Sequence, residues 1–226
     1  METFSTYTMN SLIGLLNDVE EKNAPKEVYT AGKISLPLTD PRAAIVGSRK
    51  ATIKGLEEAD SIATFLAEQK IIVVSGLAEG IDTVAHTSAI NAKGQTIAVL
   101  GTPLDKVYPQ KNYELQKLIT REHLAVSQFA NGTPVQPKNF VLRNRTMALI
   151  SDVTIIVEAG EKSGTIHQGW EAFRLGRPLF IHKNVACESF SWIRDFVKYG
   201  ALVFSDPEEL LFELPRQPRY VDVISQ

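Results

Sequence analysis

AAIVGSRKATIKGLEEADSIATFLAEQKIIVVSG, residues 43–76, contains two continuous apolar runs separated by a segment with helical periodicity. The apolar runs cover residues 43–46 and 71–74, and the helical segment covers residues 55–68. A continuous apolar run next to a helix is typical of a parallel strand that is buried on both faces. The stretch therefore predicts a β-α-β unit.

The same alternation continues along the chain. Further apolar runs, which we predict to be strands, cover residues 96–100, 124–129, 153–157, 178–182 and 202–204. Segments with helical spacing cover residues 81–92, 112–122, 139–150, 165–175 and 190–199. The pattern predicts an α/β fold with a doubly wound, mostly parallel, Rossmann-like sheet.

Three regions are expected along the chain. Residues 1–40 carry a predicted N-terminal helix, over residues 11–19, and an extended lead-in. Residues 41–214 are predicted to form the Rossmann-like domain. Residues 215–226 contain two prolines and few apolar residues, and we expect a C-terminal tail there.

Composition narrows the class of protein. The 226 residues are 44% hydrophobic and 22% charged, as expected of a globular chain. The net charge is −2, which excludes a protein held on nucleic acid by bulk positive charge but allows a local basic site. The single cysteine, Cys187, excludes an internal disulfide. No apolar run would span a bilayer and no leader is recognisable, so we expect a cytoplasmic protein without membrane contact.

Small residues follow the predicted strands, at the edge where ligands bind in doubly wound folds. Backbone amides in such loops and at helix N-termini favour phosphate, and an arginine adds a bidentate partner. An alternative is that the glycines simply end strands. The candidate phosphate-binding residues are Gly47, Ser48, Arg49, Ser75, Gly76, Lys111, Lys162, Ser163, Gly164 and Thr165.

A second candidate cluster is PKNFVLRNR, residues 137–145. Cations beside an aromatic ring suit a nucleic-acid strand, because phosphates pair with the cations and a base stacks on the ring. The alternative is a core phenylalanine with arginines on a solvated helix face. The candidate residues are Lys138, Phe140, Arg143, Asn144 and Arg145.

No bound cofactor or metal is expected. The first strand is followed by GSRKATIKG rather than G-x-G-x-x-G, and there is no P-loop motif. Asp82 and His86 are four residues apart and share one helix face, but no further ligands lie at suitable spacing. We interpret this pair as structural.

Several long motifs occur in a fixed order over residues 29–211. They are YTAG (29–32), AIVGSR (44–49), SGLAEGID (75–82) followed by AH (85–86), IAVLGTPLDKVYPQKN (97–112), NF and RNR (139–145), ISD (150–152), VEAGEKSGT (157–165) and GALVFSDPEELL (200–211). Together they resemble the DNA-processing protein A family, also called DprA or Smf. We expect a short form of the family that contains the Rossmann-like domain only.

The resemblance implies a function in DNA processing and recombination. It implies binding of single-stranded DNA without catalysis, loading of a RecA-type recombinase during natural transformation, and a homodimer. By position, Arg49 would hold a backbone phosphate, Lys111 would add a cation, and Tyr113 would stack on a base. Phe140, Arg143 and Arg145 would line the same groove. For the dimer, apolar residues near the C-terminus are the candidates: Phe196, Val197, Val203 and Phe204.

Two segments depart from the family pattern, namely IHQGW at residues 166–170 and HKN at residues 182–184. They leave two other functions open. In the related lysine-decarboxylase-like phosphoribohydrolases, called LOG proteins, a similar phosphate loop precedes a catalytic glutamate. That position is Gln168 here, and Glu171 would have to substitute as the base. The other alternative is a nucleotide sensor that uses Arg49 and Gly164.

Overall fold

The computed structural model describes residues 4–214, so the predicted tail at residues 215–226 lies outside the described part. The strands are β1 (Ser5–Tyr7), β2 (Val28–Gly32), β3 (Arg42–Gly47), β4 (Ile72–Ser75), β5 (Thr96–Leu100), β6 (Leu124–Ser127), β7 (Val153–Glu158), β8 (Leu179–His182) and β9 (Leu202–Phe204). The helices are α1 (Met9–Ile13), α2 (Asp18–Asn23), α3 (Ile53–Glu68), α4 (Ile81–Asn91), α5 (Tyr113–Glu122), α6 (Pro137–Ile150), α7 (Thr165–Arg174), α8 (Lys183–Ala186) and α9 (Ser191–Lys198). Short 3-10 helices cover Gln110–Asn112 and Pro207–Phe212.

The strands form one sheet in the order β1-β2-β6-β5-β4-β3-β7-β8-β9. Every pair from β6 to β9 in this order is parallel, whereas β2 pairs antiparallel with β6 and β1 antiparallel with β2. The doubly wound, mostly parallel prediction is confirmed. The direction of winding reverses between β3 and β7, and such a switch point opens a crevice at the carboxyl ends of the strands.

Alternate residues of the strands pack on opposite faces of the sheet. On β3, Ala44 and Val46 belong to the cluster that includes Met147 of α6. Ala43 and Ile45 face the other way, into the cluster with α3 and α4. Both faces of the central strands are therefore buried, which is why their sequence is continuously apolar.

The N-terminal region differs from its prediction. The single helix expected over residues 11–19 is two short helices, because Gly14 ends α1 with φ at 89° and Asn17 begins α2 with a capping box. Leu15, which the helical spacing had placed on the apolar face, lies in the break and is 81% exposed. β1 and β2 extend the same sheet at one edge.

The predicted dimer residues divide into two groups. Phe196 and Phe204 are buried in the chain's own core, so their assignment to an interface is wrong. Phe196 packs edge-on against Trp170, and Phe204 packs edge-on against Phe180. Val197 and Val203 are about half exposed and remain candidates.

None of the described helices is long and apolar enough to cross a bilayer. Likewise, residues 4–214 hold no group of three or more His, Cys, Asp or Glu side chains that would bind a metal ion.

His86 predicts a pH dependence of stability. Its ring is fully buried on α4, with Nδ1 at 2.6 Å from the Thr96 hydroxyl, and burial above all lowers its pKa to about 3. As the pH falls below about 6.5, His86 becomes protonated in the unfolded chain but stays neutral in the folded chain. The free energy of unfolding therefore decreases as the pH falls. We expect the free energy of unfolding to fall by roughly 2 kcal/mol between pH 7 and pH 5 from this residue.

Urea denaturation at several pH values measures this loss. His123 and His182, whose pKa values burial also lowers, contribute with the same sign. Between pH 7 and pH 5, the free energy of unfolding of His86→Asn should change less with pH than that of wild type, whatever the variant's stability at pH 7. An unchanged slope in the variant would contradict the assignment to His86.

Candidate functional site

A cavity of about 920 Å³ opens at the switch point of the sheet. Its walls come from residues 46–50 at the end of β3, from residues 160–168 around the start of α7, and from α6. A smaller cavity of about 210 Å³ adjoins it, and both include Arg49, Tyr108 and Phe140 in their lining. The predicted strand-end loops of β3 and β7 thus meet at one site.

Arg49 and two aromatic rings form the mouth of the cavity. The Arg49 guanidinium carbon lies 5.9 Å from the centre of the Phe140 ring. The Tyr108 ring lies 5.2 Å from Phe140, tilted by 54°, and Tyr108 is 48% exposed. Within residues 4–214, no carboxylate forms an ion pair with Arg49, whose side chain is exposed. The mouth therefore presents an unpaired cation above an aromatic surface.

Gly101 allows Phe140 to lie where it does. A Cβ atom at Gly101 would come within 2.5 Å of the Phe140 ring. This glycine follows β5 directly and faces the α6 side chain, so the aromatic surface rests on the carboxyl end of the sheet. The glycine after this strand thus makes room for a ring rather than binding a ligand itself.

The start of α7 is the better of two anion-binding positions. Gly164 and Lys162 are exposed there, and Ser163 Oγ accepts a hydrogen bond from the Thr165 amide at 3.2 Å. The α3 N-terminus is already occupied, because Glu158 accepts hydrogen bonds from the Thr52 amide at 3.1 Å and from its hydroxyl at 2.5 Å. The Thr165, Ile166 and His167 amides of α7 also have partners within this turn, at 3.2, 3.2 and 3.1 Å. A phosphate at α7 would therefore depend on the exposed Lys162 ammonium and on the helix dipole, and it would not meet a carboxylate such as Glu158 at α3.

The backbone of the GSR loop is less available than the sequence suggested. The Ser48 amide donates to the Glu158 carbonyl at 2.8 Å, and Gly47 pairs with Glu158 in the ladder between β3 and β7. Ser48 Oγ accepts from the Lys50 amide at 3.1 Å. Phosphate binding at this loop would therefore depend on the side chains of Arg49 and Lys50, which are both exposed.

Arg143 lines the cavity as a buried wall, not as a solvated cation. It is 5% exposed, and its Nη1 donates to the Val99 carbonyl at 2.9 Å. A Cβ atom at Gly76 would lie 1.5 Å from the same nitrogen, so the glycine makes room for the guanidinium. Burial raises the pKa of Asp82, and the charge of Arg143 opposes that rise. The two buried side chains therefore influence each other through their charges.

Two predicted residues do not join the site. Ser75 is fully buried, and its hydroxyl donates to the Ile45 carbonyl at 2.7 Å, so it ties β4 to β3. Arg145 makes two hydrogen bonds to the Glu171 carboxylate, at 2.9 and 3.2 Å, and does not line the cavity. Partners within the chain already hold both side chains, so their predicted contacts with a ligand would require these hydrogen bonds to break.

Three exposed residues lie outside the lining of either cavity. Lys111 forms an ion pair with Glu79 at 3.1 Å, which places it beside the smaller cavity. Tyr113 is 43% exposed, and the Lys117 ammonium lies 4.9 Å from its ring. Lys138 lies in the first turn of α6. Their roles in binding stay predictions.

The divergent segments serve different purposes. Trp170 packs edge-on against Phe196 and Tyr199, at 4.9 and 5.2 Å between ring centres. His182 lies 3.4 Å from the Glu58 carboxylate, and Asn184 donates to the same carboxylate at 3.0 Å. These contacts hold α9 and α3 in place, so most of the divergence is structural.

Two residues are exceptions, since His167 and Gln168 both line the cavity. The sequence pointed to Gln168 only as an amide at the position of a missing base. It lines the cavity and is 1% exposed, yet within residues 4–214 neither of its side-chain polar atoms has a hydrogen-bond partner. A buried unpaired polar group costs about 1–3 kcal/mol. Tyr108 and Lys50 also line the cavity and were not singled out. A conspicuous YP dipeptide was the available signal for Tyr108.

Two solved structures resemble the chain over most of its length. DNA processing protein A from Streptococcus pneumoniae superposes with a TM-score of 0.79 at 29% identity, over 94% of this chain and 75% of that one. The protein from Helicobacter pylori, described for its single-stranded DNA binding mode, also gives 0.79, at 26% identity, over 94% and 97% of the two chains. A molybdenum cofactor binding protein from Rippkaea orientalis shares the fold alone, with a TM-score of 0.56 at 18% identity.

Curated relatives match at the level of sequence. The DNA processing protein DprA of Streptococcus pneumoniae is 33% identical over 192 residues, which are 84% of this chain and 67% of that protein. Protein Smf of Synechocystis is 39% identical over 179 residues, 79% of this chain and 45% of its own length. The chain thus spans between about half and two thirds of such relatives. Since the profile of the DNA recombination-mediator protein A family also matches residues 6–215, the chain belongs to that family.

Proposed function

We propose that this protein binds single-stranded DNA at the cavity between β3 and β7 and acts, without catalysis, in DNA processing and recombination. The observation that carries the proposal is the unpaired Arg49 guanidinium above the Phe140 ring. It offers a phosphate partner and a stacking surface within one nucleotide's reach. The relative from Helicobacter pylori, described for binding single-stranded DNA, supports the same choice of ligand.

The geometry favours a single strand over a duplex. Phe140 and Tyr108 present ring faces and edges at the mouth, and only an unpaired base exposes a π face to them. The exposed cations Arg49, Lys50 and Lys162 lie around the opening and would follow a phosphate backbone. With a net charge of −2, affinity would depend on this local group of cations.

Binding without turnover is supported by the state of the carboxylates near the cavity. Glu171, the alternative base for a phosphoribohydrolase, forms ion pairs with Arg145 at 2.9 Å and Arg174 at 3.3 Å. Gln168 is an amide and does not accept a proton near neutral pH. Asp82 is buried, and burial raises the pKa of its carboxyl group. These groups serve packing and positioning better than proton transfer.

Fluorescence anisotropy with a labelled oligo-dT tests the proposal. We expect saturable, salt-sensitive binding that nucleoside monophosphates do not displace, and weaker binding of a duplex of the same length. Displacement by monophosphates at low concentration would support the nucleotide sensor instead. Release of free base from a monophosphate would support the phosphoribohydrolase.

We also propose that the DNA complex forms in the cytoplasm and receives a RecA-type recombinase. The support is membership of a recombination-mediator family, since a mediator must present its DNA to a recombinase. Mixing the DNA-loaded protein with RecA and measuring DNA-dependent ATP hydrolysis tests this partner. A faster onset of hydrolysis on DNA coated with single-strand binding protein is the supporting result.

A homodimer through the β9 edge of the sheet is the proposed assembly. Within the described chain β9 ends the sheet, and Val197, Tyr199, Leu202 and Val203 around it are between 40% and 66% exposed. An unpaired strand edge with apolar neighbours is a ready surface for a second copy. Apolar burial would stabilise the contact, and a lysine there would oppose it.

We expect a dimer in sedimentation at micromolar concentration, and a monomer for Val203→Lys. Leu15→Lys is the matched control, because Leu15 is an exposed apolar residue in the break between α1 and α2 and is not part of the β9 edge. The control should sediment as wild type does. A wild-type protein that sediments as a monomer at this concentration removes the proposal.

A further inference from the structure

We infer that Gln168 reads the edge of one nucleobase inside the cavity. The inference rests on the proposed function and adds a specificity-determining residue to it. Gln168 is the one lining residue of the described chain whose two side-chain polar atoms are both buried and both without a partner. A native fold rarely leaves an amide in this state, so a ligand is the natural partner. Both atoms are covered in this structure, so the inference includes a rotation of the Gln168 side chain toward the cavity when a nucleotide binds.

The surroundings of Gln168 suit a base better than a phosphate. Val46 and Met147, both nearly fully buried, contribute apolar wall to the same cavity. The amide offers one acceptor, Oε1, and one donor, Nε2, which match adjacent hydrogen-bonding groups on the edge of a base. A phosphate accepts hydrogen bonds only and would leave Oε1 unpaired.

The position of Gln168 on α7 allows one nucleotide to place its phosphate at the start of the helix and its base beside Gln168. Thr165 and Gly164, at the N-terminus of the helix, line the cavity one turn before it. A backbone phosphate at the helix N-terminus and its base against the next turn would occupy neighbouring parts of one cavity. A volume of about 920 Å³ accommodates more than one nucleotide.

An oligomer without bases separates this inference from the proposed function. We would compare oligo-dA with a tetrahydrofuran abasic oligomer of equal length, which keeps the phosphates and removes every base. Gln168→Met preserves side-chain length and removes both hydrogen-bonding groups. We expect Gln168→Met to weaken oligo-dA binding about three- to tenfold and to leave binding of the abasic oligomer unchanged.

The charged variant Gln168→Glu gives a second readout, because a carboxylate offers two acceptors. Guanine is the base with two adjacent donors, N1–H and N2–H, on its Watson–Crick edge. The affinity ratio of 7-deazaguanine to adenine oligomers, which avoids quadruplexes, should therefore rise in Gln168→Glu relative to wild type. The ratio cancels the general repulsion between the new charge and the phosphates.

Each outcome decides between the assignments. Equal losses on oligo-dA and on the abasic oligomer in Gln168→Met would make Gln168 a structural residue. Unchanged binding of both would mean that Gln168 contacts no base. Failure of the wild type to bind either oligomer would overturn the proposed function, and this inference with it. Arg49→Ala tests the proposed function separately from the base contact, since it should weaken the binding of both oligomers.

Discussion

Arg143→Met is expected to lower the free energy of unfolding by about 3–5 kcal/mol near pH 7. The guanidinium is buried among the strand ends and donates to the Val99 carbonyl, and its charge acts on the buried Asp82 carboxyl group. Methionine keeps much of the aliphatic length but removes the charge. The Val99 carbonyl would lose its side-chain donor, and Asp82 would remain buried without the charge that opposes the rise of its pKa. Urea denaturation of both proteins measures the difference.

The pH dependence identifies the cause. Burial already raises the pKa of Asp82, and removal of Arg143 takes away the charge that opposes the rise. A carboxyl group with a raised folded-state pKa is neutral in both states below its unfolded pKa. Its destabilising effect grows as the pH rises from the unfolded pKa to the folded pKa and is constant above that. The difference between Arg143→Met and wild type should therefore shrink as the pH falls toward 4.

A double-mutant cycle tests the pair directly. Asp82→Asn with Arg143→Met should be more stable than the sum of the two single losses predicts, because neither charge remains. Arg121→Met is the control for loss of an arginine, since Arg121 is 68% exposed and should change stability by no more than about 0.5 kcal/mol. Strict additivity in the cycle would mean that Asp82 and Arg143 do not interact.

Arg49→Ala is expected to weaken binding of single-stranded DNA by about tenfold to hundredfold at low salt. The guanidinium is exposed, has no carboxylate partner among residues 4–214, and lies over Phe140 at the mouth of the cavity. It can therefore give its full charge to a phosphate. Stability should hardly change, because the side chain is not part of the core. Anisotropy titrations of wild type and variant measure the effect.

Salt dependence and two further variants sharpen the result. Loss of one phosphate contact should reduce the slope of log K against log salt by about 0.7 for a single strand. Arg49→Lys should fall between wild type and alanine, because it keeps the charge but loses the bidentate fork. Arg121→Ala removes an exposed arginine from the end of α5 and should bind as wild type does. Equal affinities for Arg49→Ala and wild type would disprove the assignment.

Much of the architecture was predictable because its signals are local. The apolar runs and helical segments of residues 43–204 predicted the seven parallel strands in their chain order, since burial on both faces requires continuous apolar sequence. At the N-terminus the same reasoning was wrong. A helical spacing of leucines continued across Gly14, but its positive φ and the Asn17 capping box divided the helix.

The site was predictable in place but not in detail. Small residues after β3 and β7, with Arg49 among them, indicated the edge of the sheet where the cavity lies, because strand ends meet there in any doubly wound fold. The sequence did not show which of these side chains are free to contact a ligand. Arg49 and Arg145 look equivalent in sequence, yet one is unpaired and the other binds Glu171, 26 residues away along the chain.

The sequence by itself determined the fold class, the family and the edge of the sheet where the cavity lies, because periodicity and ordered motifs are properties of neighbouring residues. Only the tertiary structure decided which groups are free. Glu158 closes the α3 N-terminus through Thr52, which is 106 residues distant, Gly76 admits the Arg143 guanidinium, and Gln168 is left with an unpaired amide. A hydrogen bond or a close contact depends on partners that folding brings together from distant parts of the chain.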